Sequence, residues 1–154
     1  MDYIKKLIGV VVGLFCTLVV AWFCSFSLKI DFIWYNSLVK PAFLPNASVM
    51  TAFVSMVYFL NIAVIARLVT GKHFYPSMIF LGVVGIFSIL FVHSFFTWKN
   101  IYLALVFSMI IFAVSLVQQV RFFIKELRIA LYYLPVFIFN VYSVIVVSYI
   151  AFYN

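Results

Sequence analysis

Five apolar stretches fill most of this 154-residue chain, separated only by short polar or basic breaks. Each stretch is about twenty residues long, which is enough for a helix to cross the hydrocarbon core of a bilayer. Apolar residues make up 69% of the chain and charged residues 8%, so too little polar surface exists to cover a water-soluble globule. We therefore predict an integral membrane protein.

The apolar stretches are continuous, which favours helices over strands. A transmembrane barrel would show alternating segments of about ten residues, whereas a helix satisfies its backbone hydrogen bonds within each span. The predicted spans are residues 4–28, 48–69, 77–96, 101–123 and 129–152. The expected fold is an all-α bundle of five transmembrane helices, with residues 1–154 forming a single domain. The first span lacks an A-x-A-like cleavage site, so we expect it to be retained.

Lys and Arg residues are divided unevenly between the two ends of the spans, and the richer side is predicted to be cytoplasmic. The side of the N-terminus carries Lys5, Lys6, Arg67, Lys72, Arg121, Lys125 and Arg128. The other side carries Lys29, Lys40 and Lys99. The N-terminus is thus predicted inside and the C-terminus outside. The net charge of +7 lies beside lipid headgroups, so membrane lipid, and not nucleic acid, is the expected partner.

The break between the first two spans, residues 29–47, is the longest and is unusually apolar. Its large apolar residues are Phe32, Ile33, Trp34, Tyr35, Leu38, Phe43 and Leu44. Pro41 and Pro45 stiffen it and hold the residues before them in extended geometry. These features favour a lid that folds back over the mouth of the bundle. The alternative is an aromatic belt at the membrane interface.

The same break carries a motif. Its run from Trp34 to Pro45, continuing through Val49 to Tyr58, resembles the W-Y-x-x-L-x-K-P-x-[WF]-x-P…V…Y signature of the TspO/MBR family, the tryptophan-rich sensory and translocator proteins. Further similarities follow in the family's order: Phe95-Phe96 before Lys99, Ala104-Leu105-Val106 and Leu134-Pro135.

The resemblance implies a five-helix bundle, often dimeric, with a cavity roofed by the first loop. The implied ligand is a tetrapyrrole such as a porphyrin or haem, a sterol or a similar flat apolar molecule, and the implied role is that of a sensor, carrier or regulator with no required cofactor. Aromatic side chains suit a planar ligand, and Lys40 near the mouth suits a propionate. The predicted ligand-binding residues are Trp34, Lys40, Pro41, Tyr58, Phe91, Phe95, Phe139, Asn140 and Ser143.

The chain departs from the family at two pocket tryptophans linked, in some relatives, to light-dependent porphyrin breakdown. Val54 and Phe139 occupy those positions here, so we do not expect that activity. Phe91 keeps the aromatic character of the third-helix motif.

Polar residues inside the spans are further candidates because in hydrocarbon they must face a partner or a cavity. They are Asn61, Ser88, Gln118, Gln119, Asn140, Ser143 and Ser148. Tyr58, Asn140 and Ser143 are the preferred pocket residues, since Tyr58 matches the motif and the other two lie one turn apart on one helix face. The alternative is that they bond neighbouring helices. Gly9 and Gly13 form a G-x-x-x-G that favours close helix packing, within the chain or in a dimer.

Catalytic and metal chemistry have few candidate residues. Asp2, Asp31 and Glu126 all lie outside the predicted spans, which removes intramembrane carboxylates from consideration. His73 and His93 fall on opposite sides of the membrane without a Cys or carboxylate cluster. We predict a protein that is not an enzyme and has no metal site, with haem ligation by His93 as an alternative. The alternative function is a small membrane scaffold or assembly protein without a ligand cavity.

Overall fold

The structure, a computed structural model, describes residues 2–26, 30–69, 71 and 74–154. Its helices are α1 (Asp2–Phe26), α2 (Phe32–Ser37), α3 (Ala47–Val69), α4 (Phe74–Val92), a π-helical turn (His93–Thr97), α5 (Ile101–Lys125) and α6 (Leu127–Tyr153). Among these described residues, five segments are long and apolar enough to span a membrane: Tyr3–Phe26, Ala47–Val69, Pro76–Thr97, Ile101–Lys125 and Leu127–Tyr153. The predicted all-α, five-helix membrane bundle is confirmed, with span bounds within two residues of the prediction.

Short polar caps set the junctions between the later helices. The Asn100 side chain accepts a hydrogen bond from the Leu103 N–H at 3.0 Å and so caps the start of α5. Glu126 alone separates α5 from α6, and its N–H donates to the Phe122 carbonyl at 2.8 Å. Its carboxylate also pairs with Arg67 of α3 at 3.1 Å. The α5–α6 turn is therefore tied to the neighbouring end of α3.

The spanning helices form a closed ring in which α1 packs on α3, α3 on α6, α6 on α5, α5 on α4, and α4 on α1. The α1–α3 contact depends on two glycines. A Cβ at Gly9 would lie 2.6 Å from the Ala66 carbonyl oxygen, and one at Gly13 would lie 2.9 Å from that of Ile62. The predicted G-x-x-x-G thus serves packing inside the chain.

Two clusters of buried apolar residues lie inside the ring. The turn-end core, near the α5–α6 turn, consists of Val57, Val64, Leu68, Phe122, Ile129, Ala130, Tyr133 and Val136. The loop-end core, near the loop 30–46, consists of Leu38, Phe95, Ala104, Val146, Val147 and Ile150. Which end faces the cytoplasm stays a prediction from the charge count, in which Lys29 and Lys72 lie outside the described residues.

Candidate ligand site at the first loop

A short helix, α2, which has no counterpart among the predicted helices, organises the start of the loop. Asp31 caps α2 by accepting hydrogen bonds from the N–H groups of Ile33 at 3.0 Å and Trp34 at 3.1 Å. After α2 the chain turns inward at Leu38, which is buried in the loop-end core. The sequence signal for α2 was Asp31 itself, since Asp is a favoured N-cap residue.

The aromatic residues of the loop rest on the π-helical turn that follows α4. The Trp34 ring meets Phe95 edge-on, with centroids 5.6 Å apart, and Phe95 stacks on Phe91 at 6.3 Å. Tyr35 lies beside Phe96 at 6.0 Å. Three of the predicted ligand residues, Trp34, Phe91 and Phe95, are therefore brought together at one place.

The π-helical turn positions this aromatic group. Trp98 donates its N–H to the His93 carbonyl at 2.9 Å, which closes the wide turn and leaves Ser94 and Phe95 buried. Such turns occur frequently at functional sites. His93 Nδ1 lies 2.9 Å from the Ile89 carbonyl oxygen, so the imidazole is hydrogen-bonded within its own helix. Within residues 2–26, 30–69, 71 and 74–154, no group of three potential metal ligands occurs.

Two polar ties hold the loop against the bundle. Asp31 pairs with Lys99 at 2.7 Å, and this ammonium, together with the α2 backbone N–H groups, lowers the pKa of the Asp31 carboxyl. Asn154 accepts a hydrogen bond from the Val39 N–H at 2.8 Å and donates one to the Val39 carbonyl at 3.1 Å. Both ties lie on exposed or half-exposed groups at the rim of the bundle.

The other predicted residues at or near the loop have different surroundings. The Lys40 ammonium lies 4.0 Å from the centre of the Tyr35 ring, a cation–π contact. Pro41 is buried, and its carbonyl accepts the Leu44 N–H at 3.0 Å. Tyr58 is half-buried on α3, where its hydroxyl contacts the Cys24 thiol of α1.

The three predicted residues on α6 contact the bundle itself. Phe139 packs against the turn-end core. Asn140 Nδ2 donates to Ser115 Oγ of α5 at 2.7 Å, and Ser143 Oγ donates to the Phe139 carbonyl at 2.9 Å. For Asn140 this is the helix-to-helix bond that the alternative interpretation expected.

Residues outside the motif also hold the loop. Tyr142 and Tyr149 of α6 meet the motif residue Phe43 edge-on, with centroids 6.3 and 6.4 Å apart. Asn154 and Lys99 complete the ties described above. No local pattern marks Tyr142, Tyr149 or Asn154, so only the tertiary arrangement reveals them as partners of the loop.

Open depressions lie on the surface, one at the rim beside the loop ties Lys99 and Asn154 and one on α1. One of about 270 Å³ is lined by Trp98, Lys99, Asn100, Ile101, Tyr102, Ala151 and Asn154. Another of about 420 Å³ lies on the outward face of α1 between Phe15 and Phe23. The loop aromatics instead contact the loop-end core directly. A flat ligand at this place therefore requires the loop to move.

The chain matches no protein-family model, and no curated protein is significantly similar to it.

Proposed function

We propose that this membrane protein binds a flat apolar ligand of the tetrapyrrole or sterol type under the loop 30–46, in the manner of the TspO/MBR family that its loop motif resembles. The role we propose is that of a sensor or carrier without enzymatic activity. The contact of Trp34 with Phe95, which in turn stacks on Phe91, carries the proposal, because it joins the motif tryptophan to an aromatic pair contributed by the helix bundle. Planar aromatic faces suit a planar ligand.

Entry of the ligand requires the loop to lift. A pocket for a small organic molecule typically has a volume of about 300 to 1,000 Å³, whereas Trp34 rests on the loop-end core and Leu38 is part of it. The polar ties that oppose lifting are an ion pair and the hydrogen bonds of Asn154, all at the rim. Exposed ties of this kind contribute little free energy each, so the closed loop suits a lid that ligand binding reorganises.

Lys40 gives the lid a charged group for an acidic ligand. Its ammonium lies over the Tyr35 ring and within the loop, where the bundle contributes no carboxylate among the described residues of the spans. A propionate reaching the rim would exchange the cation–π contact for a charge-assisted hydrogen bond, which is the stronger interaction.

A second candidate is a scaffold whose helices bind only other helices. The bond from Asn140 to Ser115 favours it, since a predicted pocket residue is engaged in bundle packing. On this account the loop is a fixed part of the core and small molecules bind nowhere specifically.

A fluorescence-quenching titration of detergent-purified protein with protoporphyrin IX separates the two candidates. The variants are Trp34→Phe, matched by Trp98→Phe at an exposed site, and Tyr58→Ala, matched by Tyr102→Ala on the exposed face of α5. The ligand account predicts saturable quenching at micromolar porphyrin that weakens in Trp34→Phe or Tyr58→Ala and is retained in the matched controls. Linear quenching that no variant changes would support the scaffold.

A further inference from the structure

Buried polar side chains gather on α5 and α6 at the end of the bundle opposite the loop. Gln118 is fully buried, and in the described part of the chain neither its Nε2 nor its Oε1 has a hydrogen-bond partner. Gln119 is 3% exposed and donates from Nε2 to the Ala130 carbonyl at 3.1 Å. Its Oε1 has no partner among the residues described. Two neighbouring glutamines thus present unused polar atoms inside a membrane bundle.

Tyr133 of α6 adds a third unpaired group. Its ring packs edge-on against Phe122 at 5.4 Å, and its side chain has no exposed surface. Its hydroxyl lies beside Ser115 of α5 but has no well-formed hydrogen bond with any described residue. Ser115 is itself buried and already accepts the bond from Asn140. The polar atoms therefore come from both helices of the interface between α5 and α6, which we call the α5–α6 seam.

Unpaired groups of this kind are costly in a membrane interior. Gln118 lies seven residues before the end of α5 at Lys125, which places it about 10 Å along the helix from that end. Away from water, an unpaired amide or hydroxyl costs on the order of several kcal/mol. An apolar residue at position 118 would avoid this cost. A bound guest that completes the hydrogen bonds of Gln118 therefore explains the presence of an amide there better than an amide without any partner does.

The donors and acceptors select the charge of that guest. The Gln118 NH₂ and the Tyr133 hydroxyl donate, whereas the Gln118 and Gln119 carbonyl oxygens accept. A cation would be repelled by the partly positive NH₂ of the Gln118 amide. An anion would be repelled by the carbonyl oxygens of Gln118 and Gln119. Two charged side chains at this end of the bundle are engaged elsewhere: Arg121 lies over the Phe80 ring at 4.7 Å, and Glu126 pairs with Arg67. Only a neutral guest that both donates and accepts fits the whole set.

We propose that the α5–α6 seam around Gln118, Gln119 and Tyr133 is a binding site for a neutral hydroxyl group. The hydroxyl comes from one of two sources: internal water, or the free hydroxyl of a neutral lipid such as a diacylglycerol. The site is separate from the one proposed under the loop, and it stands or falls independently.

Gln118→Met is the variant that tests the site, because Met keeps the length of the side chain and removes its amide. Ile111→Met is the matched control, since Ile111 lies two turns earlier on the same buried face of α5. If Gln118 holds a guest, the Gln118→Met variant loses it. We then expect its midpoint of thermal unfolding to fall further than that of Ile111→Met. An unpaired amide predicts the opposite, a raised midpoint, because the substitution removes a desolvation cost.

Two assays detect the guest itself in the full-length protein. X-ray radiolytic labelling in ¹⁸O-water reports internal water at Tyr133, with exposed Tyr102 as the reference. Native mass spectrometry after purification from phosphatidylcholine vesicles containing dioleoylglycerol reports a retained neutral lipid. We expect one of the two signals in the wild type, lost several-fold in Gln118→Met and kept in Ile111→Met. Neither signal in the wild type, or a signal unchanged in Gln118→Met, would overturn the proposal.

Discussion

Both ends of the bundle carry an ion pair at the rim, but they differ in how many buried polar atoms of the described residues lack a partner. At the loop end, Asp31, Lys99 and Asn154 lie at the rim and are paired, and the core beneath them is aromatic and aliphatic. At the turn end, Gln118 and Gln119 lie inside the bundle, and three of their four amide atoms have no partner in the described residues. Polar contacts at the rim can be exchanged for contacts with water at a low cost in free energy. A buried amide has no water with which to replace a lost partner. The loop end is therefore suited to opening and the turn end to holding a guest in place.

The loop-end core should depend on Phe95 more than on any exposed aromatic residue. Phe95 is 4% exposed and touches Trp34, Phe91 and Phe96. Phe95→Ala should lower the free energy of unfolding by about 3–5 kcal/mol through the cavity it leaves. Phe152→Ala, at a residue that is 82% exposed, is the control. Denaturant unfolding in mixed micelles measures both, and equal effects would refute a packed core beneath the loop.

The turn end should depend on close helix approach. Gly9→Ala places a methyl group 2.6 Å from the Ala66 carbonyl oxygen, a backbone atom that cannot move away alone. We expect a loss of about 1–3 kcal/mol in the free energy of unfolding, as for overpacking in general. Gly82→Ala adds its methyl group in open space and should leave the stability unchanged or raise it. A Gly9→Ala variant as stable as Gly82→Ala would contradict the α1–α3 packing described here.

Asn154 should hold the loop more than it holds the bundle. Asn154→Ala removes the two hydrogen bonds to Val39, each contributing about 1 kcal/mol. Hydrogen exchange at the Val39 amide should accelerate about tenfold for each 1.4 kcal/mol lost, while exchange in α5 stays unchanged. Asn36→Ala, at an exposed residue of α2, is the control. Equal acceleration in α5 would mean that Asn154 stabilises the whole bundle and not the loop.

The ion pair between Asp31 and Lys99 should make the closure of the loop depend on pH. Lys99 lowers the pKa of the Asp31 carboxyl, so the pair stabilises the closed loop above the ordinary Asp pKa of about 3.9. That contribution is lost as the pH falls through the lowered pKa. The emission of Trp34, with Trp22 and Trp98 replaced by Phe, should shift as the loop lifts. Asp31→Asn should abolish this acid transition, and a transition that survives the substitution would assign it to another group.

The sequence predicted the five spans well because their signal is local. A run of apolar residues has to satisfy its backbone within itself, so composition and length are sufficient to place each helix to within two residues. The family resemblance also marked Trp34 in the loop and Phe91 and Phe95 at the end of the third span, which the fold brings together through Phe95.

Side-chain partners across helices were less predictable. Asn140 lies one turn from Ser143 on the same face, yet it bonds Ser115 of α5 while Ser143 bonds its own helix. Gln118 and Gln119 stood among the polar candidates, but no local pattern indicates that one amide finds a partner and the other does not. The rotation of α5 against α6 decides this, and that rotation follows from packing along the whole seam.

The central claim, that the loop 30–46 is a lid over a ligand site, is tested most directly by fixing the loop. In a Cys16→Ala, Cys24→Ser background, Asp31→Cys and Lys99→Cys replace the ion pair and are joined by a short reducible bis-maleimide. We predict that the joined protein shows no saturable quenching by protoporphyrin IX and that reduction restores it. Unchanged saturable binding by the joined protein would contradict the account, because the ligand would then bind without passing under the loop.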